Sequence, residues 1–126
     1  MLFRGEVCLV LIIENNFYLG NALKDLLLEI SANSMLYRTA EDAINDLDFL
    51  CNHHVRAIVC NHSLPGMSGS EFIKQVKSHL KPCVCILISS TRPADIPHEA
   101  IFLEKPFVPG MLLKTIKEKT TAVQSD

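Results

Sequence analysis

The chain has 126 residues, 12 Lys and Arg against 14 Asp and Glu for a formal charge of −2, and 48% hydrophobic residues with a mean hydropathy of +0.23. That is the size of one domain, long enough to bury on the order of two thirds of its unfolded surface without a disulfide or a metal. The apolar content excludes intrinsic disorder, and the near-neutral charge speaks against direct nucleic-acid binding.

The first apolar run, residues 7–13, is far short of the roughly 20 residues that cross a bilayer, so no membrane association is expected. Arg4 and Glu6 lie beside it and no small-residue cleavage site follows, unlike a secretory signal. Five cysteines, an odd number in a chain that is not Cys-dense, point to a reducing, cytoplasmic compartment. The run itself is unalternated and β-branched, the pattern of a strand covered on both faces in a parallel sheet. Leu19, Leu23, Leu26, Leu27 and Ile30 then recur at helical spacing, with Lys24, Asp25 and Glu29 on the opposite side. Residues 35–37 are a weaker strand nearer an edge. Ala40, Ala43, Ile44, Leu47 and Leu50 form one further helical stripe, opened by Thr39 as N-cap with Asp42 three residues on.

Residues 55–60, interrupted only by Arg56, are the third strand. Phe72, Ile73 and Val76 mark a helix after Gly69 and Ser70. Residues 83–88 are the fourth strand, 101–103 a short fifth, and Leu112, Leu113 and Ile116 the last helix, whose start Phe107 and Pro109 fix. Between the last two strands, Pro93 and Pro97 leave little room for a regular crossover, so a shortened or irregular fourth helix is expected there. Strands alternating with helices imply right-handed crossovers and a three-layer α/β/α sandwich. Apolar residues thin out from Lys117, which puts the domain at 1–119 and a tail or linker start at 120–126.

In open parallel sheets, ligands sit beyond the carboxyl ends of the strands. The polar residues that directly follow the apolar runs are Glu14 and Asn15, Asn61, then Ser89, Ser90 and Thr91, and Lys105. They converge on one cleft.

The stretch Asn61-His62-Ser63-Leu64-Pro65-Gly66-Met67-Ser68-Gly69 resembles the loop of bacterial response regulator receiver (CheY-like) domains, in which a phosphoacceptor Asp precedes a Pro-Gly-Met-x-Gly turn. Leu103-Glu104-Lys105-Pro106-Phe107 resembles that family's Lys-Pro-Phe segment, and Ile12-Ile13-Glu14-Asn15-Asn16 its opening of two apolar residues and two acids. The resemblance covers nearly the whole chain in the right order. It implies a flavodoxin-like five-stranded parallel sheet of order 2-1-3-4-5 and a cis Lys105–Pro106 bond. It places the acidic pair on Glu14 and Asn15, the phosphoacceptor on Asn61 and the invariant lysine on Lys105. The switch hydroxyl falls on Ser89, or on Ser90 if the fourth strand is shifted by one.

Measured against the family pattern, Asn61 offers a neutral amide, a poor nucleophile that forms no stable acyl phosphate. Of three carboxylates only Glu14 remains, so Glu14, Asn15 and Asn61 form a vestigial Mg²⁺ site, and no metal or cofactor is expected. Lys105, lacking an acceptor Asp, should pair with Glu14. The expectation is a degenerate receiver in two-component-type signalling that acts by phosphorylation-independent protein contact and is not an enzyme. The partners implied are a histidine kinase, an output domain, another receiver, or a second copy through the face of the fourth helix, fifth strand and fifth helix.

Three other readings compete. One is phosphorylation on Ser63, Ser89 or Ser90, or weak Mg²⁺-dependent phosphotransfer. Another is flavin mononucleotide binding, for which the loop Glu14-Asn15-Asn16-Phe17 lacks a Gly/Ser/Thr-rich phosphate cradle. The third is a metal site from Cys51, His53 and His54 with Cys60 and His62, but these fall at opposite ends of one strand. Cys83 and Cys85 share a strand face without a second ligand pair, which suits apolar packing. His79 and His98 read as solvated, and His62 borders the cleft. Phe17 and Tyr18 either cover the cleft or pack under the first helix.

Overall fold

A computed structural model describes residues 8–80 and 82–124; Val7, the expected first residue of the first strand, lies outside them. Five strands, β1 (Cys8–Ile13), β2 (Ala32–Tyr37), β3 (Val55–Asn61), β4 (Val84–Ser89) and β5 (Ile101–Glu104), form one parallel sheet in the order 2-1-3-4-5. The helices are α1 (Phe17–Leu28), α2 (Ala40–Asn45), α3 (Leu47–Cys51), α4 (Gly69–Val76) and α5 (Pro109–Gln124). The expected sandwich and strand order are both present.

The two-sided burial that makes the strand runs unalternated is explicit. Leu11, Ile13, Ile58, Cys60, Cys85 and Leu87 face a core shared with Ala40, Ala43, Leu50, Phe72, Ile73 and Val76 of α2 to α4. Their neighbours Val10, Ile12, Ala57, Val59, Ile86 and Ile88 face Leu23 and Leu27 of α1 and Leu112 and Ile116 of α5. Helix starts are satisfied locally. The Leu19 N–H donates to Asn16 Oδ1 at 3.0 Å, the Asp42 N–H to Thr39 Oγ1 at 3.1 Å, and the Glu71 N–H to Ser68 Oγ at 3.2 Å.

Four features depart from the sequence reading. The stripe 40–50 is two short helices that break at Asp46, whose carboxylate accepts the Tyr37 hydroxyl at 2.7 Å and does not cap α3. The edge strand β2 is six residues, not three. The expected shortened or irregular helix between β4 and β5 is irregular to the point of forming no helical turn among the described residues, where 90–100 are bends and a turn. Pro93 and Pro97 deny that segment the N–H donors a helix needs. It is held instead by an ion pair between Lys74 and Asp95, by Ile96 packed against the core, and by Arg92 set 5.4 Å over the Phe102 ring. Finally, α5 continues through the expected tail as far as Gln124. Thr120 is buried within it and donates its hydroxyl to the Ile116 carbonyl at 2.5 Å.

The turn after β3 is compressed against its own strand. An ideal Cβ on Gly69 falls 2.3 Å from the Asn61 carbonyl oxygen and 2.8 Å from His62 Cα, both backbone atoms that cannot yield cheaply. Gly69→Ala is therefore expected to lose about 1–3 kcal/mol in urea unfolding, whereas Gly110→Ala, with nothing within 4 Å of its added methyl, loses none.

Cys60 supplies a pH handle. Burial first, then the charges of Cys85 and Glu14, push its thiol far above the usual cysteine range. The unfolded thiol ionises near pH 8.5 while the folded one keeps its proton, so this contribution is intact below that pH and declines above it. Between about pH 9 and 10, stability of the parent should fall more steeply than that of Cys60→Ala, by about 1.4 kcal/mol per pH unit in denaturant titrations. Parallel slopes would refute this.

Candidate functional site

Three strands deliver polar residues to one rim. β1 hands over to Glu14, which is 3% exposed, with its N–H on the Tyr37 carbonyl at 3.0 Å. β3 ends on Asn61, 8% exposed and opposite Ile88 in the register with β4. β5 ends one residue before Lys105, whose N–H donates to the Ser89 carbonyl at 2.8 Å. The Lys105–Pro106 bond is cis, as the resemblance implied. Asn15 is exposed at the lip of the cleft.

The rim groups meet in one network. Asn61 Nδ2 faces three acceptors: Glu14 Oε2 at 3.3 Å, Asn15 Oδ1 at 3.2 Å and the Ser63 carbonyl at 3.1 Å. The Glu14 carboxylate and the Ser63 carbonyl accept only, which fixes the orientation of the amide. Glu14 Oε2 also accepts the Asn16 N–H at 3.0 Å, and Glu14 Oε1 lies 3.7 Å from Lys105 Nζ. The expected lysine–glutamate pair is therefore present at the long end of ion-pair range, with Lys105 a quarter exposed and Glu14 nearly enclosed.

The serines separate. Ser89 is buried at the end of β4 with Oγ accepting the Thr91 N–H at 3.4 Å, while Ser90 is exposed. Beside the rim runs an apolar groove of about 680 Å³ between α1 and the segment after β5, lined among others by Leu19, Leu23, Leu26, Pro106 and Phe107. Phe17 and Tyr18 are 59% and 83% exposed, edge to face with each other at 5.8 Å, so neither packs under α1.

The Cys and His clusters stay apart. Cys51, His53 and His54 lie before the amino end of β3, with the His53 ring stacked on Phe49 at 3.9 Å. Cys60 and His62 lie at the carboxyl end of that strand. His79 and His98 are exposed. His62 is half-buried, its Nδ1 3.0 Å from the buried Ser70 hydroxyl.

Two rim contacts went unforeseen. The His62–Ser70 pair is one; the other is Glu41 of α2, whose Oε2 accepts the Met67 N–H at 2.8 Å and so ties α2 to the loop after β3. Both rest on packing between elements, and no local pattern marks them.

A search of known proteins places this arrangement. The chain is 34% identical over 80 residues to the hydrogenase transcriptional regulatory protein HoxA of Cupriavidus necator, a match that covers 58% of this chain and 17% of that protein. Its fold is similar to a CheY-like receiver domain protein of Methanospirillum hungatei, with TM-score 0.81, 18% identity, and 95% and 98% of the two chains covered. It is equally similar to the signal receiver domain of an HD domain-containing protein of Pseudomonas fluorescens, with TM-score 0.81, 18% identity, and 96% and 99% covered. Residues 10–119 match the response regulator receiver domain family, to which this chain therefore belongs.

Proposed function

We propose that this receiver domain signals by protein–protein contact without aspartyl phosphorylation and is not an enzyme. The observation that carries the reading is the direction of the Asn61 amide. Phosphoryl transfer in this family's pattern needs an anionic nucleophile at that position and a divalent cation beside it. Asn61 brings a neutral amide, and its NH₂ points at Glu14 and Asn15, the side chains that would have to turn their oxygens to the cation. With a single carboxylate, already shared with Asn61, the Asn16 N–H and Lys105, the donor set does not fit Mg²⁺. The amide and the lysine together satisfy the charge of Glu14, so the rim rests in one state.

The partners of such a domain are a kinase, an output domain or another receiver. With no helix between β4 and β5 among the described residues, the face beside β5 differs in shape from a sandwich with a helix in all four crossovers. No helix among the described residues is long and apolar enough to cross a membrane. Phosphorylation of Ser89 gains nothing from its burial, and no geometry favours Ser63 or Ser90 over any other exposed serine.

Incubation with Mg²⁺ and an acyl phosphate should leave the intact mass unchanged and the amide resonances of Asn61 and Lys105 in place. A gain of one phosphate, or saturable shifts at those two positions, would overturn the reading.

The Asn61→Asp variant tests the charge balance directly. It sets a second carboxylate against Glu14, Asn15 Oδ1 and the Ser63 carbonyl with no donor between them, and should cost about 1–3 kcal/mol at neutral pH without divalent cations. The new Asp is held above its unfolded pKa, so the loss shrinks as pH falls and the carboxyl protonates. Millimolar Mg²⁺ should also reduce it, as read by thermal melts with and without chelator.

A further inference from the structure

Cys83 and Cys85 stand two residues apart at the start of β4, so their side chains project to the same side of the sheet. Cys85 is 7% exposed and belongs to the core under α2 to α4, and the half-buried Cys83 packs against that core. Both line a cavity of about 450 Å³ at the amino end of the sheet, whose other walls include Lys77, His98 and Glu99. The crossover without a helix forms its outer wall. Lys77 fixes that wall by donating from Nζ to the His98 carbonyl at 3.1 Å. The Cys83 thiol donates to the Val84 carbonyl at 3.8 Å.

We propose that Cys83 and Cys85 form a two-thiolate binding site for a soft monovalent metal ion of the copper(I) class. Thiolates select soft ions, and two of them complete the coordination of copper(I). Zinc takes four ligands, and among the described residues no group of three or more His, Cys, Asp or Glu is placed to hold a metal. A disulfide is the poorer product, because two residues of extended backbone span about 6.6 Å, near the upper limit for bridged Cα atoms. Binding replaces two S–H bonds with two S–Cu bonds, releases two protons and leaves a singly negative complex. The Lys77 ammonium in the cavity wall balances that charge.

The test uses the full chain, reduced and anaerobic, with Cys51→Ser to remove the exposed thiol of α3. Copper(I) is presented bound to a chromogenic bidentate chelator. The protein should take one equivalent, with new near-ultraviolet thiolate-to-copper absorption and two protons released per ion. Cys83→Ser should weaken binding at least a hundredfold, and being half-buried it should keep the fold, as circular dichroism verifies. Cys85→Ser should act in the same way, whereas Cys60→Ala should leave binding unchanged. Failure to take copper(I), uptake that survives Cys83→Ser in folded protein, or tighter retention of zinc(II) than of copper(I) would each overturn the proposal.

Discussion

A carboxylate enclosed at the rim of a parallel sheet has to be satisfied from within the protein. Glu14 is in that position, and an unpaired buried carboxylate costs several kcal/mol unless hydrogen bonds and opposite charge replace its water. Its partners come from three places along the chain: the Asn16 N–H two residues on, the Asn61 amide at the end of β3, and Lys105 after β5. The requirement of one side chain thus joins the first, third and fifth strands at a single point. The same bonds that meet it turn the Asn61 amide toward Glu14.

The two faces of the sheet are treated differently. One is covered by α1 and α5, long enough to seal it with regular stripes. The other is covered by three short helices, α2 to α4, and then by the irregular crossover, where Ile96, Ala100 and the buried Pro97 substitute for a helix. Lys74 and Lys77 of the α4 end reach across to Asp95 and the His98 carbonyl, so polar bonds carry part of what apolar packing does elsewhere. Such bonds are individually weak at an exposed surface. Together with Arg92 on Phe102 they give the segment a defined course without a hydrogen-bonded ladder of its own.

Strands buried on both faces announce themselves as unbroken apolar runs, and β1, β3 and β4 were legible for that reason, while β5, half-buried at an edge, showed only as a short apolar run. β2 was half hidden because it opens with Ala32, Asn33 and Ser34 at an edge, where one side of the strand needs no apolar residue. The break at Asp46 left no mark on the periodicity of residues 40–50, since it depends on the Tyr37 hydroxyl arriving from β2. The rim residues could be read from position alone, as could the pairing of Lys105 with Glu14, because polar residues that end parallel strands share one edge. The direction of the Asn61 amide could not, since its acceptors stand as much as 47 positions away and one is a loop carbonyl.

The shortest strand, β5, has four residues, lies at the edge and pairs with β4 alone. Exposed edges of this kind invite strands from other molecules, and brevity is one defence. Lys105 adds another, because its backbone is bonded to Ser89 and its side chain is drawn inward to Glu14. Lys105 thus works as a rivet on a vulnerable margin. Removing its positive charge would therefore show first as self-association of the chain, before any loss of the central sheet.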